Sequence, residues 1–277
     1  MGLVLDRHGL ILPTRQLSAA QRTQAKLLDQ LWQDELDQFF ERLELRSGAR
    51  VLVYNCGLGH DLPRLARLVA PLGEVVGVQP DPFLAHEARL ELKEHRGLGI
   101  RVVLGDPAHD PIPDGLYEVI FVAWRMNEIQ PLPLQGVRSL LARLRPWLAP
   151  QGRLAIWEDC TTGMRLHPPL PLLQRILRLW QRERPDTSLA CSLAGEFAFC
   201  NLMFESARPV QKAEVPGSAT GRWWDHWLHQ EGPARLSPRQ WQRLQQQWES
   251  RRIDPNTLYF SPQAFGVVGR ALSAYVA

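Results

Sequence analysis

A stretch able to hold a ligand largely by its backbone lies at Val51–Gly59, VLVYNCGLG. Its apolar first half reads as a strand, Asn55–Gly59 as a glycine-containing turn, and Asp61–Val69 as the helix that follows. Strand, turn and helix in that order open a nucleotide-type α/β fold. Glycine suits the turn because a Cβ would hold a bound molecule off the backbone. His109, Glu128 and Glu158 lie near the ends of strand-like runs and are the candidates for taking a proton from an acceptor. Each also has a plain reading as a surface or structural residue. Trp124 and Arg125, just after the apolar run Tyr117–Val122, are placed to line a pocket. Arg125 suits either an anionic group or a salt bridge to a neighbouring helix.

Other chemistries find little support. The basic residues are 29 Arg against three Lys (Lys26, Lys93, Lys212), none of the lysines in a pocket-like sequence, which leaves Schiff-base catalysis little to work with. Cys56, Cys160, Cys191 and Cys200 are far apart and form no CxxC, so they read as buried small hydrophobes in a reducing compartment and no metal site is expected. A net charge of +3 makes no case for nucleic acid. No apolar run approaches the roughly 20 residues that span a bilayer. The N-terminus carries Asp6, lacks a small-residue cleavage site and fails the myristoylation pattern. The expectation is a cytoplasmic protein with no membrane or nucleic-acid partner, its oligomeric state open.

Elements that would position these residues follow from periodicity. Residues 17–45 carry Leu27, Leu28, Leu31, Trp32, Leu36, Phe39, Phe40 and Leu43 on one face, which predicts an amphipathic helix, broken at most once. Strands are expected at Arg50–Tyr54, Glu74–Val78, Ile100–Leu104, Tyr117–Val122 and Arg153–Glu158, with helices at Asp61–Val69, Pro82–His95 and Leu134–Leu148 between them. That alternation calls for a parallel sheet with helices on both faces and a ligand at the carboxyl ends of the strands. Beyond Glu158 the pattern predicts helices at Leu170–Arg184 and Leu189–Phe204, a strand at Arg208–Val215, helices at Thr220–His229 and Pro238–Ser250, and a closing strand at Ala264–Arg270. The organisation is an N-terminal helical segment over 1–46 and one α/β domain over 47–277, with a helical insertion at about 160–250.

The strand ends resemble those of class I S-adenosylmethionine-dependent methyltransferases of the small-molecule type. Family chains carry VLDxGxGxG, then VxGxD ending strand two, GD after strand three, and LxPGGxL entering strand five. The counterparts here are VLVYNCGLG at 51–59, VGVQ at 76–79, Gly105-Asp106, and LAPQGRL at 148–154. The resemblance implies a Rossmann-like methyltransferase sheet with helices on both faces and a helical elaboration after strand five. It also implies S-adenosylmethionine as cofactor, held by Asn55, Cys56, Gly57, Gly59, Gln79, Pro80, Asp106, Pro107 and Trp124. Asp106 would accept from the adenine amino group; its alternative is a turn residue in Gly105-Asp106-Pro107.

Three positions depart from the pattern. The family's strand-one acid is Val53 here, the first glycine of its turn is Asn55, and the acid ending strand two is Gln79. Asn55 is the mildest change, since Asn tolerates left-handed backbone. Gln79 lacks the charge of a ribose-binding carboxylate. Charge-assisted bonds are worth roughly 1.5–3 kcal/mol against about 1 for neutral ones, so cofactor binding is expected to be weaker by about 10–100-fold. Asp81 is a possible substitute acceptor, and Gln79→Asp is expected to tighten binding. The resemblance implies methyl transfer to a small, partly apolar molecule, with a non-catalytic binding or scaffold protein on the same fold as the alternative. A dinucleotide oxidoreductase is disfavoured because His60-Asp61-Leu62 follows where a third glycine belongs. VAWRM after strand four, in place of an NPPY-like run, argues against methylation of nucleic-acid bases. The pocket mouth is expected from Leu5–Arg15, Trp124-Arg125-Met126 and the helices after strand five. The WWDHW stretch at 223–227 is read as core packing, with a substrate lid as the alternative.

Overall fold

Seven strands form the central sheet of the computed structural model, which describes residues 4–5, 11–12, 18–95, 97–105, 115–124, 134–160, 163–183 and 190–272. In chain order they are β1 (Arg50–Tyr54), β2 (Glu74–Gln79), β3 (Ile100–Leu104), β4 (Tyr117–Trp124), β5 (Leu148–Cys160), β6 (Leu202–Val210) and β7 (Gln263–Ala271). They lie side by side as 3-2-1-4-5-7-6. β1 to β5 are parallel, and β7 runs antiparallel between β5 and β6. Strand order reverses between β1 and β4, the place where α/β sheets open a crevice at their carboxyl edge.

Alternation along each strand feeds two cores. Val51, Val53, Val75, Phe121, Ala155 and Trp157 join one apolar cluster, while Leu52, Val76, Val78, Ile120, Leu154 and Ile156 join the other. The first cluster is completed by α1 (Ala19–Glu41), α2 (Asp61–Val69), α5 (Pro171–Arg182), α7 (Ala219–Arg235) and α8 (Pro238–Ile253); the second by α4 (Leu134–Leu144) and α6 (Ala190–Phe199). α3 (Pro82–Glu91) leads into a 3-10 turn at Leu92–His95, and Leu92 packs against the first cluster. α1 is one unbroken helix and packs against α7, so the N-terminal segment is built into the layer above the sheet. Within 160–250, α6 and β6 pack with the sheet, while α5, α7 and α8 pack on one another beside a small sheet of Arg165–His167, Leu258–Phe260 and Ala213–Glu214. No helix of the described residues is long and apolar enough to cross a membrane.

The first four strands agree with the periodicity within two residues. β5 starts earlier than expected because Gln151 takes a left-handed φ of 64° and the register jumps from Tyr117↔Leu148 to Val119↔Arg153, a bulge that keeps Leu148–Gly152 in the sheet. The helix expected to Phe204 stops at Phe199, and β6 occupies Leu202–Val210 rather than beginning at Arg208. Asn201, with φ 54°, supplies the left-handed residue that turns α6 into the strand. Helix starts have visible causes. Asp81 accepts from Phe83 N at 2.8 Å and Leu84 N at 3.3 Å ahead of Pro82, and Ser237 and Gln240 form a reciprocal capping box ahead of Pro238.

Candidate functional site

At the carboxyl end of β1 the chain turns sharply. Asn55, Gly57 and Gly59 all have left-handed φ, at 56°, 55° and 82°. Two glycines and an asparagine meet that demand at the least steric cost. The turn is folded onto the neighbouring strand: Asn55 N and Cys56 N both donate to Val78 O, at 2.8 and 3.3 Å. Gly59 N donates to Cys56 O at 2.8 Å, and Leu62 N to Gly59 O at 3.1 Å, which starts α2. Cys56 is buried against β2. A Cβ on Gly77 would come within 3.0 Å of its Sγ and 2.9 Å of Leu62 Cδ1, so Gly77 is the clearance that lets the turn seat.

Gln79, ending β2, is only 1% exposed. Its Oε1 accepts from Asp81 N at 3.1 Å, and its Nε2 is buried with no hydrogen-bond partner among the described residues. Its carbonyl accepts from Gly105 N at 3.2 Å, which ties the end of β3 to the end of β2. Asn55 brings a second buried carboxamide whose Nδ2 also lacks a partner among the described residues. Unpaired amide nitrogens are rare in protein interiors because their desolvation is uncompensated. Two of them at adjoining strand ends, beside a turn of left-handed backbone, suit a polar ligand that accepts hydrogen bonds. Asp81, the substitute acceptor that the sequence suggests, caps α3 through Oδ1, which accepts from the Phe83 and Leu84 amides. Val53, where the resemblance places an acid, is fully buried in the apolar cluster with α2.

Of the other residues singled out from the sequence, Pro80 joins Gln79 to Asp81, and Trp124 ends β4 opposite Glu158. Glu158 is 2% exposed on β5. Asp106, Pro107, His109, Arg125, Met126 and Glu128 lie outside the described residues, as does most of the stretch from 5 to 15. The structure adds Asp159, which sequence reasoning passed over. It is 3% exposed on the opposite face of β5 from Glu158 and accepts from Trp157 Nε1 at 2.9 Å. Trp32 of α1 meets Trp157 edge-on, with ring centroids 5.9 Å apart. The available signal was a second carboxylate directly after Glu158 at the end of an apolar strand. Trp223, Trp224 and Trp227 are essentially fully buried, as the packing reading of WWDHW expects.

Residues 35–135, from the second half of α1 to the start of α4, match the family described as protein-L-isoaspartate(D-aspartate) O-methyltransferase. The chain is 39% identical over 94 residues to protein-L-isoaspartate O-methyltransferase 2 of Rhodopseudomonas palustris, a match covering 34% of this chain and 42% of that protein. The chain thus spans about two-fifths of the length of the curated relatives it matches. Among solved structures it resembles an S-adenosylmethionine-dependent methyltransferase from Aquifex aeolicus (16% identity, TM-score 0.54, covering 90% of this chain and 98% of that one). It also resembles the [4+2]-cyclase SpnF (18% identity, TM-score 0.53, covering 88% and 84%). Likeness at these identities speaks to the fold, which hosts more than one chemistry.

Proposed function

The chain belongs to the class I S-adenosylmethionine-dependent methyltransferase superfamily, and on that premise we propose that it transfers a methyl group from S-adenosylmethionine to a small, partly apolar molecule. The observation that carries the cofactor half of this reading is the Asn55–Gly59 turn. It is left-handed at three of five residues, pinned to Val78 O, and flanked by the amides of Asn55 and Gln79, whose nitrogens have no partner among the described residues. The sequence match over residues 35–135 falls on β1 to β4 and supports the same half.

When bound, the cofactor supplies an electrophilic methyl group on a sulfonium. The chain's part is positioning and exclusion of water, which suffice for an in-line displacement without a dedicated acid or base. In this reading the Asn55–Gly59 turn, Gln79 and Pro80 hold the nucleoside, with Asp106 and Pro107 at the adenine and Trp124 closing the edge. Trp157, which donates to Asp159 and meets Trp32 edge-on, is a core residue near the end of β5. Residues 1–46 serve as an added helical segment on a methyltransferase-like unit over 47–277, working in the cytoplasm.

A second reading of the acceptor comes from the relatives themselves, which are named for the isoaspartyl carboxylate of proteins. The match covers β1 to β4 and leaves out the chain that follows, where added elements set the acceptor, so the relatives' acceptor is not carried over with the cofactor half. The two separate on incubation with labelled cofactor: label entering an isoaspartyl peptide but no small apolar acid or alcohol would reverse the preference. The cofactor claim is tested by calorimetric titration with S-adenosylmethionine and S-adenosylhomocysteine. Absence of heat and of a thermal shift at millimolar ligand would move the reading to a non-catalytic scaffold. Arg125→Ala should impair acceptor use more than cofactor binding; equal losses would make Arg125 a structural residue.

A further inference from the structure

We infer that Gln79 grips the bound nucleoside by donating a hydrogen bond, so that this site turns an N–H toward the ribose where the resembling family turns a carboxylate. The inference rests on the cofactor reading above and concerns the polarity of that same site. Gln79 Oε1 accepts from Asp81 N at 3.1 Å. A backbone N–H can only donate, so the carboxamide cannot be turned over: Nε2 in that place would set donor against donor. Nε2 is therefore the group left for a ligand, and it is buried and without a partner among the described residues, on a side chain whose residue is 1% exposed.

Asp81 spends its Oδ1 on the Phe83 and Leu84 amides, which anchors it at the start of α3. Asn55, at the end of the adjoining strand, independently presents a second buried amide nitrogen without a partner among the described residues. A ribose hydroxyl meeting Gln79 then accepts, and its own proton is free to go elsewhere. A carboxylate site asks the reverse, that the hydroxyl donate. Gln79 is thus a specificity-determining residue that reads the ribose oxygen rather than the hydroxyl proton.

The test is calorimetric titration of the full chain with S-adenosylhomocysteine and with its 2′-amino-2′-deoxy and 3′-amino-3′-deoxy analogues, at a pH where the amine is protonated. An ammonium group only donates. One of the two analogues is expected to bind about tenfold or more weakly than the parent, the cost of setting a donor against a buried donor. Gln79→Glu keeps an oxygen for Asp81 N and replaces the donor by an acceptor, so it should reverse the preference for that analogue, with a thermal melt verifying folding. Should the variant fail to fold, the wild-type comparison decides alone. Both analogues binding wild type as tightly as the parent would overturn the inference and leave the cofactor reading standing. No binding of S-adenosylhomocysteine itself would overturn both.

Discussion

Asp81 and Cys56 show how single side chains around the turn divide their work. Asp81 holds the start of α3, and Asp81→Ala should cost about 1 kcal/mol of stability, the usual loss of an N-cap, while changing S-adenosylhomocysteine affinity by no more than about twofold. A drop of about tenfold in affinity would instead make its carboxylate the ribose contact. Cys56 and Gly77 are matched in volume across β1 and β2. Gly77→Ala should lose about 1–3 kcal/mol through overpacking, and Cys56→Ala in the same chain should recover part of it, a coupling that urea melts of the four proteins would reveal. The buried Glu196 on α6 receives two hydrogen bonds from Arg138, at 2.7 and 3.0 Å, and these hold its carboxyl below the usual range against the opposing pull of burial. A carboxylate lowered in the fold contributes stability above its unfolded value of about 4.3 and loses it as pH falls through the lower folded value. Urea midpoints of wild type should therefore fall more steeply than those of Glu196→Gln below about pH 4.3.

At the scale of elements, the tryptophans of α5, α7 and α8 decide what the C-terminal half does. Trp227 meets Trp180 and Trp224 edge-on, both at 5.2 Å, and stacks on Trp223 at 6.3 Å. Trp248 of α8 donates to Asp225 at 2.9 Å and packs on Tyr259, whose hydroxyl is pushed up to about 12 by burial, with Asp225 adding to the rise. This is a packed layer whose members hold one another. Trp227→Ala should cost about 3–5 kcal/mol and show as a large fall in melting temperature. A lid would behave otherwise, raising the KM for the acceptor with the melting temperature unchanged. The helix–strand boundary at Asn201 and the bulge at Gln151 were hidden in the sequence for one reason. Each depends on a non-glycine residue in left-handed backbone, which periodicity does not register.

Across the whole molecule, the sheet divides labour between its halves. β1 to β4 carry the glycine turn and the sequence match over 35–135, whereas the helical layer of α5, α7 and α8 comes from the chain after β5, which the match leaves out. Acceptor chemistry is expected to follow the second half, because binding residues gather on loops and added elements at the carboxyl edge while the scaffold beneath stays the same. α1 joins the two by burying Trp32, Leu36, Phe39 and Phe40 in the core that also holds Trp157 and Trp227.

Sequence alone determined the alternation of strands and helices, the order of the four strand-end motifs and the need for left-handed backbone at Asn55–Gly59. Each is a local property, set by the spacing of apolar residues or by the φ a residue type tolerates. Tertiary structure decided what the departures mean. Gln79 read as a weakened acceptor until its oxygen proved to be taken by Asp81 N, and the Oδ1 of Asp81 proved to cap α3. Val53 read as a lost acid and is a core residue. Hydrogen-bond direction and burial depend on what the fold brings alongside a side chain, and β2, α3 and the Asn55 turn meet only when the sheet has formed.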